Sequence, residues 1–213
     1  MNNESEINGD AENPMEIEGV ILAAGFSSRT PGVFKMELIL EGKTLIERTI
    51  DRMVDFCSRV IVVGGHNIER IREITNEYSN VRVVFNPHYR SGMFSSVKEG
   101  FKNVSANWFF FTPGDYPWVK KTTYQSLLDA RSVYPSGRIF IPVCRGRKGH
   151  PILVNRCLVD ELLGEPKDSN LREFINRKGF TPVEVEDEGI LTDIDTLEDY
   201  KRAKRRAKKI KVV

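Results

Sequence analysis

Hydrophobic and polar positions along this chain fall into short blocks whose period switches repeatedly between that of a strand and that of a helix. The mostly apolar run over 17–24 reads as a first strand buried on both faces. Thr44 and Glu47 form a capping box that opens a helix to about residue 56. The run Arg59–Gly64, carried by Val60, Ile61, Val62 and Val63, predicts a second strand. A polar helix over 68–78 and a strand at Val81–Phe85 follow. Met93–Lys102 reads as a helix, and 108–112 as an aromatic strand ending at Pro113-Gly114-Asp115. Thr122 with Gln125 is a second capping pair, opening a helix to about residue 133.

The second half is less regular. Residues 139–143 and 151–154 predict strands flanking the basic turn Arg145-Gly146-Arg147-Lys148-Gly149-His150. Asn170 with Glu173 caps a helix to about residue 178, 181–185 is a last strand, and Thr196 is placed to cap a terminal helix. Repeated strand–helix–strand units imply an α/β fold, a parallel sheet with right-handed crossovers and helices on both faces. Such sheets take ligands at the carboxyl ends of their strands, where the Gly25 loop and Asp115 both fall. With no internal repeat or linker, the chain reads as one domain over 16–213 behind a tail over 1–15.

Charge sharpens the two ends. Glu4, Glu6, Asp10, Glu12, Glu16 and Glu18 meet no Lys or Arg in the first eighteen residues, so the tail to about Met15 is expected to be disordered. The other end carries Lys201, Arg202, Lys204, Arg205, Arg206, Lys208, Lys209 and Lys211. Without interleaved aromatic residues this run reads as a solvated helix end rather than a nucleic-acid surface. Cys57, Cys144 and Cys157 are odd in number and widely spaced, and form no metal set with His66, His88 and His150. No apolar stretch resembles a signal peptide or is long enough to span a bilayer. The expectation is a cytoplasmic protein with reduced thiols.

The candidate chemistry lies where the first strand empties into Gly25-Phe26-Ser27-Ser28-Arg29-Thr30-Pro31-Gly32-Val33-Phe34-Lys35. Small residues let backbone N–H groups approach phosphates, and Arg29 and Lys35 add positive charge. An ordinary strand-to-helix turn is the alternative. A dinucleotide GxGxxG fails at Ser27, and a Walker loop ending at Gly42-Lys43-Thr44 fails at Glu37. Asp115, at a strand's carboxyl end, suits either a Mg²⁺ bridging a triphosphate or a turn completed by Pro117. Asp193 and Asp195, taken to alternate across one extended segment, are expected on opposite sides, one reaching the site while the other caps or pairs. His150 reads as a base, a substrate contact or a turn residue. Arg145, Arg147 and Lys148 suit a phosphorylated acceptor or a solvated loop.

Several separated motifs together resemble MobA-like nucleotidyltransferases. Leu22-Ala23-Ala24-Gly25-Phe26-Ser27-Ser28-Arg29 with Gly32 and Lys35 resembles LAAGxSxRxGxxK, with one extra residue before Gly32. Asn86-Pro87-His88-Tyr89 through Gly92, Ser95, Ser96 and Val97 resembles NPxYxxG…SSV, and Gly114-Asp115-Tyr116-Pro117 resembles GDxP with tyrosine in place of the common methionine. Gly149-His150-Pro151-Ile152-Leu153 resembles GHPxL. Asp193-Ile194-Asp195-Thr196-Leu197-Glu198-Asp199 resembles DIDTPED with leucine for proline. Ala24, the GHP motif and DIDT are more similar to the molybdenum cofactor cytidylyltransferase branch than to the guanylyltransferase branch.

The resemblance implies a Rossmann-like nucleotidyltransferase fold, Mg²⁺ dependence and transfer of CMP from CTP to the phosphate of molybdopterin, releasing pyrophosphate. It puts Leu22, Ala23, Ala24 and Gly25 on the nucleotide, Arg29 and Lys35 on phosphates, Asp115 and Asp195 on the metal, and Ser95 and Ser96 near base or ribose. The region of His150 would face the pterin. Alternatives are the same fold acting on a sugar or polyol phosphate, and a non-catalytic nucleotide-binding partner. The latter would use the basic terminal helix, and on either reading a transient contact with a molybdoenzyme or maturation factor is a further expectation.

Overall fold

A computed structural model describes residues 17–26 and 32–210; the acidic tail and Arg29 fall outside the described residues. β1 (Ile17–Ala23) is followed by a hairpin, β2 (Ile39–Leu40) and β3 (Lys43–Thr44), and by α1 (Leu45–Met53). β4 (Arg59–Gly64), α2 (Ile68–Thr75) and β5 (Val81–Phe85) build one wing. α3 (Met93–Lys102) then leads to β6 (Trp108–Pro113). α4 (Lys121–Val133) precedes β7 (Ile139–Cys144), β8 (Arg147–Lys148) and β9 (Ile152–Asn155). The chain finishes with α5 (Val159–Gly164), α6 (Leu171–Lys178), β10 (Thr181–Glu184) and α7 (Leu197–Ile210).

The main sheet runs β10-β7-β9-β6-β1-β4-β5, with β8 paired to β7. Its centre is parallel: β1 lies between β4 and β6, and β5 extends the edge beyond β4. β9 runs antiparallel to both β6 and β7. The sheet is therefore mostly parallel with helices on both faces, as the sequence pattern implied.

Alternation along each strand divides the core in two. Ile17, Ile21 and Ala23 of β1 pack with Trp108 and Phe110 of β6 on the face covered by α1, α2 and α4. Val20 and Leu22 join Phe109 and Phe111 on the opposite face, covered by α3, α5 and α6. Both faces are buried, which is why these strands read as continuous apolar runs. A third cluster seats α7: Ala203 and Ala207 meet Leu40, Leu45 and Ile194, and the Tyr200 hydroxyl donates to the Ile39 carbonyl at 2.6 Å.

The capping boxes at Thr44–Glu47 and the Asn170 cap are present. Thr196 forms a box with Asp199, whose amide donates to Thr196 Oγ1 at 3.1 Å. The Thr122–Gln125 cap is not. α4 starts at Lys121, and a remote carboxylate serves its first turn, Asp187 accepting from the Lys120 amide and the Thr123 hydroxyl, each at 2.7 Å. Cys57 and Cys144 are buried, Cys157 is exposed, and all three are free thiols. Among the described residues no helix is long and apolar enough to cross a membrane.

Candidate active site

At the carboxyl ends of β1 and β6 the chain gathers its candidate groups. The Gly114 amide donates to the Leu22 carbonyl at 2.9 Å, joining the two strand ends and presenting Asp115 beside the loop after β1. The Ile194 amide donates to the Asp115 carbonyl at 3.0 Å and draws the segment before α7 across the same edge. Lys35 then bridges both elements: its Nζ lies 2.6 Å from Asp115 Oδ2 and 2.9 Å from Asp195 Oδ1.

Asp193 completes the cluster, and the expectation that it faces away from Asp195 is incorrect. One carboxylate oxygen from each of Asp115, Asp193 and Asp195 lies within 4.8 Å of the others. Residues two apart in an extended segment share a face. Ile194 between them points the other way, 1% exposed, into the α7 cluster.

Three acidic residues are buried among the described residues, Glu18, Asp115 and Asp187. Glu18 accepts from Arg59, Ser105 and Ala106, and Asp187 from Lys120, Thr123 and Gly189, so both are structural. Asp115 keeps Oδ1 buried with no hydrogen-bond partner. Burial pushes its carboxyl above the ordinary value, and Lys35 offsets this in part. Burial pulls the Lys35 ammonium down, but Asp115 and Asp195 outweigh it and hold its pKa above the ordinary value. An all-oxygen donor set with an unsatisfied buried oxygen fits a hard divalent cation such as Mg²⁺.

Two cavities meet here. The smaller, about 480 Å³, is lined by Leu22, Ala23, Ala24, Gly25 and Lys35, with Asp115 and Asp195 at its inner end. The larger, about 800 Å³, is lined by Asp193, Tyr116 and His150 and by the basic side chains of Arg147, Lys148 and Arg172. Met93 and Pro113 line both, so the cavities are contiguous and the acidic cluster stands at their junction. The amino terminus of α3, which lacks a side-chain cap, opens on the same place and favours anions.

The other candidate residues separate. Ser96 is buried and lines the smaller cavity. Ser95 instead braces the loop, donating to the carbonyls of His88 and Gly92 at 2.8 Å, and Asn86 donates to both serines at 2.9 Å. Arg145 pairs with Glu188 away from the larger cavity. His150 packs edge-on to Phe111 and Tyr116, and burial pushes its imidazole down to about 4, so it is neutral near pH 7. Gly149 allows this packing: a Cβ there would come within 2.2 Å of the Ile190 carbonyl oxygen. Met93 and Arg172 were not picked out in sequence, and Asp193 was weighed only as one of a pair of which a single member would reach the site; the apolar Ile194 between the two aspartates was the signal that both do.

The profile of the MobA-like NTP transferase domain matches residues 19–183. A relative from Escherichia coli (strain K12), named molybdenum cofactor cytidylyltransferase, is 34% identical over 190 residues, covering 89% of this chain and 96% of its own. Another, named nicotine blue oxidoreductase, from Paenarthrobacter nicotinovorans, is 29% identical over 209 residues, covering 91% and 98%. Among solved structures, a nucleotidyl transferase from Methanothermobacter thermautotroptrophicus superposes with a TM-score of 0.77 at 23% identity, covering 92% of this chain and 99% of that one. That likeness concerns the fold.

Proposed function

Because the chain belongs to the MobA-like NTP transferase family, we propose that it transfers CMP from CTP to the phosphate of a molybdopterin-type acceptor and releases pyrophosphate. The observation that carries this reading is the placement of Lys35 and three aspartates at the junction of two contiguous cavities. One cavity is floored by backbone suited to a nucleotide, and the other is basic enough for an anionic acceptor. A binding module needs one cavity; a transfer between two bound molecules needs two that meet.

In the proposed reaction an acceptor phosphate oxygen bonds to the α-phosphorus of CTP, and the bond from that phosphorus to the bridging oxygen of the β-phosphate breaks. A phosphate monoester, with a second pKa of about 6, is already largely dianionic near neutral pH. No residue need act as a base, and the neutral, buried His150 is assigned to shaping the acceptor cavity instead. Leu22 to Gly25 hold the nucleotide by backbone. Lys35 turns from the aspartates toward the phosphates, Arg147, Lys148 and Arg172 attract the acceptor, and Met93 and Pro113 keep the two molecules adjoining. Asp115, Asp193 and Asp195 would hold Mg²⁺, which when bound supplies charge neutralisation to the triphosphate. The reading places the protein in the cytoplasm, where three free thiols suit a reducing compartment.

The test is pyrophosphate release from each nucleoside triphosphate with molybdopterin, a sugar phosphate or a polyol phosphate, with Mg²⁺ and after chelation. Release with CTP and molybdopterin, lost on chelation, is the expected result. Nucleotide binding without release from any pair would overturn the reading.

A further inference from the structure

An array of rings on the lining of the smaller cavity plays no part in the chemistry above. Phe26, next to Gly25, is 46% exposed. Its ring centroid lies 5.2 Å from that of Tyr89 and 5.6 Å from that of His66. The Arg90 guanidinium sits 5.9 Å over Phe26 and 5.5 Å over Tyr89. Phe26, Tyr89 and Arg90 all line the cavity that holds Lys35.

A single exposed phenylalanine needs no explanation. These rings, however, come from the separate loops after β1, β4 and β5 and converge on one opening. Their convergence depends on a backbone approach that only glycine permits. A Cβ at Gly65 would stand 2.6 Å from the Ala24 carbonyl oxygen and 2.8 Å from Tyr89 Cβ. Planar rings beside a guanidinium, lining the same cavity as Lys35, Asp115 and Asp195, suit the flat face of a nucleotide's base. The triphosphate is the part that Lys35 and the aspartates take.

Resting on the transfer reading, we propose that Phe26, Tyr89 and Arg90 form the platform on which the nucleobase of the bound triphosphate stacks. Stacking on an aromatic ring is tolerant of base identity, because every base has a π face. The platform therefore distinguishes a nucleoside triphosphate from bare polyphosphate, and leaves the choice among bases to polar groups inside the cavity such as the Ala24 backbone.

Calorimetric titration of the full chain with CTP and with inorganic tripolyphosphate, both with Mg²⁺, tests this. Phe26→Ala is expected to weaken CTP about 10- to 100-fold and to leave tripolyphosphate unchanged, while Phe26→Trp keeps CTP affinity within about threefold. A Phe26→Ala variant that binds CTP within threefold of the wild type, or loses both ligands equally, would overturn the platform. A wild-type chain that binds no nucleoside triphosphate would overturn the transfer reading itself, and the platform with it.

Discussion

Replacing Asp115 with asparagine separates what the acidic cluster costs the fold from what it does for the reaction. Asparagine keeps the shape of the side chain and can turn its amide oxygen toward the Lys35 ammonium. At an effective dielectric of about 20, the 2.6 Å contact between Lys35 and Asp115 corresponds to about 6 kcal/mol of gross attraction. Carboxylate oxygens of Asp193 and Asp195, each no more than 4.8 Å from one of Asp115, repel it by at least about 3.5 kcal/mol apiece on the same scale. Desolvating the buried carboxylate costs several kcal/mol more. Repulsion and desolvation together thus exceed the attraction, so removing this charge does not cost the fold, and at this chain length each kcal/mol moves Tm by about 2–4 °C.

The expected Asp115→Asn protein therefore melts no lower than the wild type but releases pyrophosphate about 1000-fold more slowly, a loss of about 4 kcal/mol in transition-state stabilisation. Scanning calorimetry and a coupled pyrophosphate assay measure the two effects on one preparation. A rate within tenfold of wild type would refute the role given to Asp115. Loss of a cooperative transition at room temperature would show instead that the carboxylate is structural, like Glu18.

Asp187→Ala is expected to do the reverse, costing about 3 kcal/mol because its buried carboxylate holds Lys120, Thr123 and Gly189; an unchanged urea midpoint would refute that role. The His150 imidazole, at about 4 in the folded chain against 6.5 unfolded, contributes stability that is present above pH 6.5 and lost as the pH falls toward 4. By pH 5 about 2 kcal/mol should be gone, and His150→Phe should flatten the urea-unfolding profile over that range; a profile identical to wild type would refute it.

Elements and site were legible in sequence wherever a local pattern carries the physics. Apolar runs give strands buried on both faces, Thr44 and Asn170 cap their own helices, and Lys35, Asp115 and Asp195 converge because each stands at the carboxyl edge of the sheet. What escaped depends on partners distant in sequence. The first turn of α4 is served by Asp187, 67 positions from Lys120, so a local capping rule selects the wrong pair. The ring array joins Phe26, His66 and Tyr89 from three loops, and no periodicity links them. Asp193 was within reach of the pattern, since a buried Ile194 puts its two neighbours on one exposed side.

The direction of β9 also escaped, because an apolar run has no polarity along the chain, and that direction is what builds the larger cavity. β6 and β7 run the same way, each antiparallel to the β9 strand between them. In a parallel strand the carboxyl end delivers a loop to the ligand edge; in β9 it is the amino end, where Ile152 pairs with Phe111 near the end of β6. The connection from β7 to β9 therefore starts and finishes at the same edge, and Arg147, Lys148 and His150 are carried to the cavity that Tyr116 and Asp193 line. Had β9 continued the parallel order, a crossover would have been required, and His150, just before β9, would have been carried to the opposite edge. One reversed strand thus gives the sheet its second cavity, contiguous with the first, as the proposed transfer between two bound molecules requires.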